Sequence, residues 1–216
     1  MARFVLVPGG WHGGWAFDAV GNALTSAGHD VQALTLSGLG DASAPGANLD
    51  HHIGEVVQAL RAHDAPAVLV GHSYGGMVIT GAADTEPSCV KALVYADAYV
   101  PDDSASVWSL ATAAYHARFV KGAAADGLHC VPPAHLDKRC RPHPMATFLQ
   151  AIKLTGDWRS VRDKCFIAAT WDGSPFADLY ERLRRDPAWA THRFDCAHDI
   201  PRLAPEALTR ILLSYA

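Results

Sequence analysis

The sequence has no long hydrophobic run. The apolar stretch at its start, MARFVLVPGG, stops after a few residues at Pro8-Gly9-Gly10. A secretory leader needs an apolar region of roughly 7–15 residues, and a membrane span needs about 20. The expectation is a soluble, cytoplasmic protein. Runs of Lys and Arg are also missing. The 18 basic and 22 acidic residues leave a net charge of −4. That balance fits an ordinary solvated surface and argues against nucleic acid or anionic membrane as a partner. Cysteine is sparse. Cys89, Cys130, Cys140, Cys165 and Cys196 are odd in number and widely spaced, which argues against a disulfide framework. Internal repeats and low-complexity linkers are absent. Cys130 and Cys140 share a stretch with His129, His135 and His143, but the spacing fits no common zinc pattern. No metal site is expected, and this stretch reads as a loop-rich surface segment. Cys165 opens an apolar run and is expected in the core.

Half of the 216 residues are hydrophobic, enough for one globular domain with a sizeable core. Short apolar runs alternate with helix-like segments. The runs are Arg3–Pro8, Asp30–Leu36, Ala67–His72, Lys91–Asp97, Cys165–Asp172 and Thr191–Asp199. Between the first two, a helix-like stretch ends at Gly28. A glycine loop, SGLGD, leads into the next helix. The last helix opens with Pro205 in its first turn. Continuous apolar strands alternating with helices predict an α/β fold, a mostly parallel six-stranded sheet with helices on both faces. The rhythm breaks between Pro101 and Arg162. Residues 101–162 therefore read as a small helical lid inserted into a core formed by 1–100 and 163–216.

One junction is chemically specific. The run AVLVGH passes into Gly71-His72-Ser73-Tyr74-Gly75, the pattern G-x-S-x-G at a strand-to-helix turn. Glycine is needed at both flanks because side chains there would collide with neighbouring chain. The turn lifts the serine hydroxyl off the sheet, at a helix N-terminus that favours developing negative charge. A serine hydroxyl needs a base, and the base needs an orienting acid. His198 follows the last strand-like run and precedes the last helix, so it shares the sheet edge with Ser73. Two aspartates satisfy the chain order Ser…Asp…His. Asp97 ends the fourth run and is followed by apolar residues, where a charge has few bland explanations. Asp172 ends the fifth run, in a Gly-Ser-Pro context that also suits a turn. The reading favours Asp97, with Asp172 as the alternative. Asp195 and Asp199 lie too near the histidine in sequence to orient it. A tetrahedral oxyanion needs two donors. These would be the N–H of Tyr74 and the N–H of Gly10, in the glycine loop after the first strand. A strand order of 2-1-3-4-5-6 would bring the two together where the order reverses. Trp11, Trp108 and Tyr115 are candidate walls of a substrate pocket.

The stretches FVLVPGGWHGGWAF, GHSYGGMVITGAAD, LVYADAYVPDD, PHPMATF and DCAHDIPRLAPEAL together resemble the α/β-hydrolase fold. The likeness is greatest to the small branch of plant methylesterases, hydroxynitrile lyases and bacterial esterase-like proteins. It spans nearly the whole chain and weakens in the insertion. The resemblance implies a Ser–His–Asp triad, a helical cap and no cofactor. Ser73 matches the nucleophile, His198 the base, and Gly10 with Tyr74 the oxyanion donors. Hydroxynitrile lyases of this group carry a lysine directly after the histidine. Here that residue is Asp199, whose charge opposes cyanide stabilisation. The usual acid position of the family corresponds to Asp172, and that of some relatives to Asp97. The expected activity is hydrolysis of an ester, thioester or lactone of a small metabolite. The competing readings are lyase, decarboxylase or cyclase chemistry on the same scaffold, and a ligand-binding receptor with a vestigial triad. Nothing in the sequence speaks to oligomeric state.

Overall fold

The structure is a computed structural model and describes residues 1–40 and 46–216. Asp41, the end of the expected glycine loop, lies outside them. Six strands form the main sheet: β1 (Arg3–Val7), β2 (Asp30–Ala33), β3 (Ala67–His72), β4 (Val90–Ala96), β7 (Asp163–Ala169) and β8 (Ala190–Phe194). Their order is β2-β1-β3-β4-β7-β8, and every neighbouring pair is parallel. β1 and β3 are buried along their whole length, as strands covered on both faces must be.

Alternate residues serve two separate cores. Phe4, Leu6, Val68 and Val70 face α1 (Asp18–Ser26) and α9 (Pro205–Leu213), where Val20, Leu24, Leu208 and Leu212 are buried. Val5, Val7 and Leu69 face α2 (Leu49–Arg61) and α3 (Gly75–Thr85), with Val56, Leu60, Met77 and Ile79. Local chemistry sets the helix ends. Gly28 takes the left-handed conformation beyond α1, with φ +86°. Asn48 caps α2, its side chain accepting from the His51 N–H at 2.9 Å. The last strand is shorter than the apolar pattern suggests. Its ladder ends where Thr170 N–H donates to Phe194 O at 2.9 Å. Residues 195–199 therefore form a loop at the strands' C-terminal edge.

Residues 101–162 hold α4 (Val107–Leu110), α5 (Ala113–Gly122), an antiparallel ribbon of β5 (His129–Cys130) and β6 (His143–Pro144), and α6 (Met145–Leu149). After the sheet resumes, α7 (Ala177–Leu183) and α8 (Ile200–Leu203) complete the chain. The returning end of the insertion is tied to α3. The Asp84 carboxylate accepts from Thr155 N–H (2.6 Å), Gly156 N–H (2.9 Å) and Trp158 N–H (3.1 Å), and from the Thr155 hydroxyl. The ribbon is tied to the loop after β1. Trp11 Nε1–H donates to Cys130 O at 2.8 Å, and Arg141 N–H donates to Trp11 O at 2.9 Å. Most of residues 129–143 lie at the surface, as the sequence reading expects, but Cys130, Cys140 and His143 are buried, Cys130 beneath the Trp11 indole. Among the described residues, no three His, Cys, Asp or Glu side chains are grouped to hold a metal. None of the described helices is long and apolar enough to cross a membrane.

Candidate active site

The glycines of the elbow are required by close contacts. A Cβ on Gly71 would lie 2.8 Å from the Gly75 carbonyl, and one on Gly75 would lie 2.4 Å from Val7 O. Gly76 is tighter, with Tyr99 O only 2.1 Å from the Cβ position. These neighbours are backbone atoms and cannot swing aside. Ser73 itself sits at φ +52°, a conformation costly to a non-glycine residue. Three backbone bonds hold it there: Ser73 N–H donates to Ala96 O, and the Gly76 and Tyr99 N–H groups donate to Ser73 O.

Three expected side chains meet at the edge where the strand order reverses. Ser73 Oγ–H donates to His198 Nε2 at 2.9 Å, and His198 Nδ1–H donates to Asp97 Oδ2 at 2.7 Å. Asp97 directly follows β4 at φ +45° and is fully buried. Its carboxylate has two further donors, Trp171 Nε1–H at 2.9 Å on Oδ2 and Ala169 N–H at 3.1 Å on Oδ1. All three neighbours donate, so the site is built for an ionised carboxylate. The alternative acid does not come to the histidine. Asp172 is exposed, on a turn where Gly173 takes φ +78°. The chain bends away directly after Trp171, which carries that carboxylate outward. His198 is also held through its backbone. The imidazole of His72, the residue before the serine, donates Nε2–H to His198 O at 3.0 Å. Burial, then the neighbouring His198, pushes the His72 pKa down to about 4, so it stays neutral.

The loop after β1 lies against the elbow. A Cβ on Gly9 would fall 3.0 Å from Ser73 Cβ. Within the described residues, the Gly10 and Tyr74 N–H groups have no protein acceptor. Two buried imidazoles grip the peptide joining Gly10 to Trp11. His12 Nδ1–H donates to Gly10 O at 2.7 Å, and Trp11 N–H donates to His143 Nδ1 at 3.1 Å. The His143 tautomer follows from its other side, where Nε2–H donates to Thr147 Oγ1 at 2.7 Å and Thr147 in turn donates to Pro144 O. Burial keeps both imidazoles below the ordinary histidine pKa. Trp11 is thereby held at φ +67°. Tyr74 is fixed in the same manner, its hydroxyl donating to His52 Nδ1 at 2.8 Å.

A cavity of about 400 Å³ opens over Ser73 and His198, with Trp11 and Tyr115 in its wall. Trp108 is not part of it. That indole stacks on His116 with ring centroids 4.2 Å apart, a packing role on the insertion. The sequence reading gives no role to Trp171, His12 and His72, whose places beside the strand end, the glycine loop and the elbow are the only signal, and it weighs His143 only as a metal ligand.

A hydroxyl, an imidazole and a buried carboxylate in line, beside two backbone donors, can carry out acyl transfer. Residues 4–211 match the family described as "Alpha/beta hydrolase family". The protein belongs to the alpha/beta hydrolase family. This hydrolase is similar to the carbendazim hydrolyzing esterase of Nocardioides sp. (strain SG-4G), with 37% identity over 98% of each chain. It is also similar to salicylic acid-binding protein 2 of Nicotiana tabacum, with 37% identity over 46% of this chain and 40% of that one. Among solved structures, an extracellular alpha/beta-hydrolase from a Paenibacillus species covers 100% of the chain at TM-score 0.85 and 20% identity. That likeness is one of fold.

Proposed function

We propose that the protein is a serine hydrolase that cleaves a carboxylic ester, thioester or lactone of a small molecule. The observation that carries this reading is the continuous hydrogen-bonded line from Ser73 through His198 to Asp97. Similarity along the whole chain to an esterase supports it. Ser73 Oγ attacks the carbonyl carbon while His198 Nε2 takes its proton. Asp97 holds the imidazole in the Nδ1–H tautomer and stabilises its cation. The oxyanion accepts from the Gly10 and Tyr74 N–H groups. His198 then gives the proton to the departing alcohol as the carbonyl–oxygen bond breaks. Water, deprotonated by the same nitrogen, attacks the acyl-serine, and the acid leaves as Ser73 recovers its proton. Every step uses groups of this chain and water. The insertion, tied to the loop after β1, serves as the lid of the cavity.

The test is intact-mass analysis after treatment with a fluorophosphonate. The native chain should gain one adduct and Ser73→Ala none. A folded native chain that gains no adduct would refute the reading and point to ligand binding without turnover.

A further inference from the structure

Two cavities of very different size meet at Ser73. The larger, of about 400 Å³, contains His198 in its wall together with Trp171, Leu136 and Leu203. The smaller, of about 20 Å³, touches Gly10, Ser73 and Tyr74 and lacks His198; Trp11, Tyr99, Val107, Tyr115, Phe119 and Phe148 line it. On the ester-cleaving reading above, chemistry decides which part of a substrate enters which. The carbonyl carbon sits on Ser73 and its oxygen points at the Gly10 and Tyr74 N–H groups. The leaving oxygen must receive its proton from His198 Nε2. The alcohol part therefore extends into the large cavity beside His198. The acyl part is left with the small aromatic chamber on the other side.

Size then becomes a selection rule. A cavity of about 10–15 Å³ just holds one water molecule, so about 20 Å³ takes little more than a methyl group. A cavity of about 400 Å³ lies in the range that binds small organic molecules, roughly 300–1,000 Å³. The chamber walls have little room to yield. Phe119 stacks on Phe148 at 4.6 Å, and Phe148 stacks on His143 at 4.1 Å with an interplanar angle of 5°. The edge of Trp11 meets Phe148 at 5.8 Å. Val107, Phe119 and Phe148 are each at most 2% exposed, and a larger acyl group would have to displace close-packed rings.

We propose that this hydrolase selects esters with an acetyl-sized acyl group on a bulky, largely apolar alcohol, and discriminates against small-alcohol esters of bulky acids. The products are a short-chain acid and the freed alcohol, formed by adding one water across the carbonyl–oxygen bond. The upstream reaction implied is O-acylation of a hydroxyl by a short acyl donor.

Two isomeric esters test this on the unmodified protein. Benzyl acetate and methyl phenylacetate contain the same atoms and both release an unactivated alcohol, but they place the ring on opposite sides of the carbonyl. The expected kcat/KM for benzyl acetate is higher by about tenfold or more, the scale on which one methylene decides fit in an apolar pocket. Along p-nitrophenyl acetate, butyrate and hexanoate, kcat/KM should fall at each step. Phe119→Ala should raise hexanoate relative to acetate by about tenfold. Val107→Ala, a smaller change, should move the ratio the same way if Phe119→Ala does not fold. Equal cleavage of the two isomers, or a flat chain-length profile, with Ser73 still labelled by a fluorophosphonate, overturns the selection rule alone. No cleavage of any ester and no labelling of Ser73 overturns the ester reading and this inference with it.

Discussion

Asp97→Asn is the sharpest perturbation of the site, because the replacement has nearly the same shape and the opposite hydrogen-bonding needs on one side. Three N–H groups point at the native carboxylate: His198 Nδ1–H, Trp171 Nε1–H and Ala169 N–H. An amide offers one acceptor oxygen and one NH2 that can only donate. If its oxygen faces Ala169, the NH2 faces His198 and Trp171. The imidazole must then present Nδ1 as acceptor and carry its proton on Nε2, facing Ser73, where it can no longer accept the hydroxyl proton. If the oxygen faces His198 instead, the NH2 abuts the Ala169 N–H, and a buried donor loses its partner. The wrong tautomer costs about ten-thousand-fold in kcat, or roughly 5 kcal/mol of transition-state stabilisation at 1.36 kcal/mol per decade. Each orphaned buried donor costs a further ~1–3 kcal/mol of folding stability. The assay is p-nitrophenyl acetate hydrolysis at neutral pH, with a thermal melt on the same sample. Asp172→Asn serves as control, and its exposed position should leave rate and stability within about 0.5 kcal/mol of wild type. If Asp97→Asn keeps more than about a tenth of the wild-type rate, or Asp172→Asn loses the activity, the tautomer argument is wrong.

His143→Leu removes the acceptor for the Trp11 N–H, whereas His143→Asn can still present an oxygen near the Nδ1 position. The first should lower kcat by about tenfold or more with KM little changed, less than the ~100–1,000-fold cost of losing an oxyanion donor outright. The second should recover most of that loss, and equal kinetics for both variants would show that the grip on the Gly10–Trp11 peptide does not matter. Gly76→Ala drives a Cβ to 2.1 Å from Tyr99 O, an overpacking with no flexible atom to relieve it. Its stability should fall by at least about 1–3 kcal/mol, read as a lower denaturant midpoint, and an unchanged midpoint would contradict the elbow geometry. Burial pushes the Asp84 pKa up, but its four hydrogen bonds outweigh this and hold it below the usual carboxylate value. The unfolded chain binds that proton first, so the stability from Asp84 is present at neutral pH and lost as acid passes through its folded pKa. Asp84→Asn should be less stable at pH 7 and should flatten this part of the pH–stability curve. His72 is pushed from 6.5 to about 4 by burial, and His12, His52 and His143 are pushed down by the same cause. The unfolded chain protonates these rings first, so stability should fall as pH drops from about 7 towards 4. His72→Gln should weaken that slope, and a Tm independent of pH across the window would refute the buried-neutral assignment.

Some of this protein follows from the order of its residues alone. The continuous apolar runs at Arg3–Val7 and Ala67–His72 require a sheet covered on both faces, and the alternating helices make it parallel. The elbow is partly local. A Cβ on Gly71 would strike the Gly75 carbonyl four residues on, a contact of the turn itself, whereas Gly75 is required by Val7 O on the neighbouring strand. His198 was legible from its place between the last strand and the last helix. The choice between Asp97 and Asp172 was legible only as a preference for Asp97, from the apolar residues that follow it. Each aspartate ends an apolar run, and the difference arises from Ala169 and Trp171 on the neighbouring β7 side, 72 and 74 residues away. Nor could spacing reveal that His143 grips Trp11 across 132 residues, or that the Trp11 indole donates to Cys130 O. The size of the chamber beside Ser73 depends on rings from four separate stretches. The clash that demands Gly71 lies within four residues and is written in the local sequence, while those at Gly75 and Gly76 come from Val7 and Tyr99 on other strands and loops. Hydrogen-bond partners and cavity volumes are decided by sheet register and by packing between distant segments, which exist only once the chain has folded.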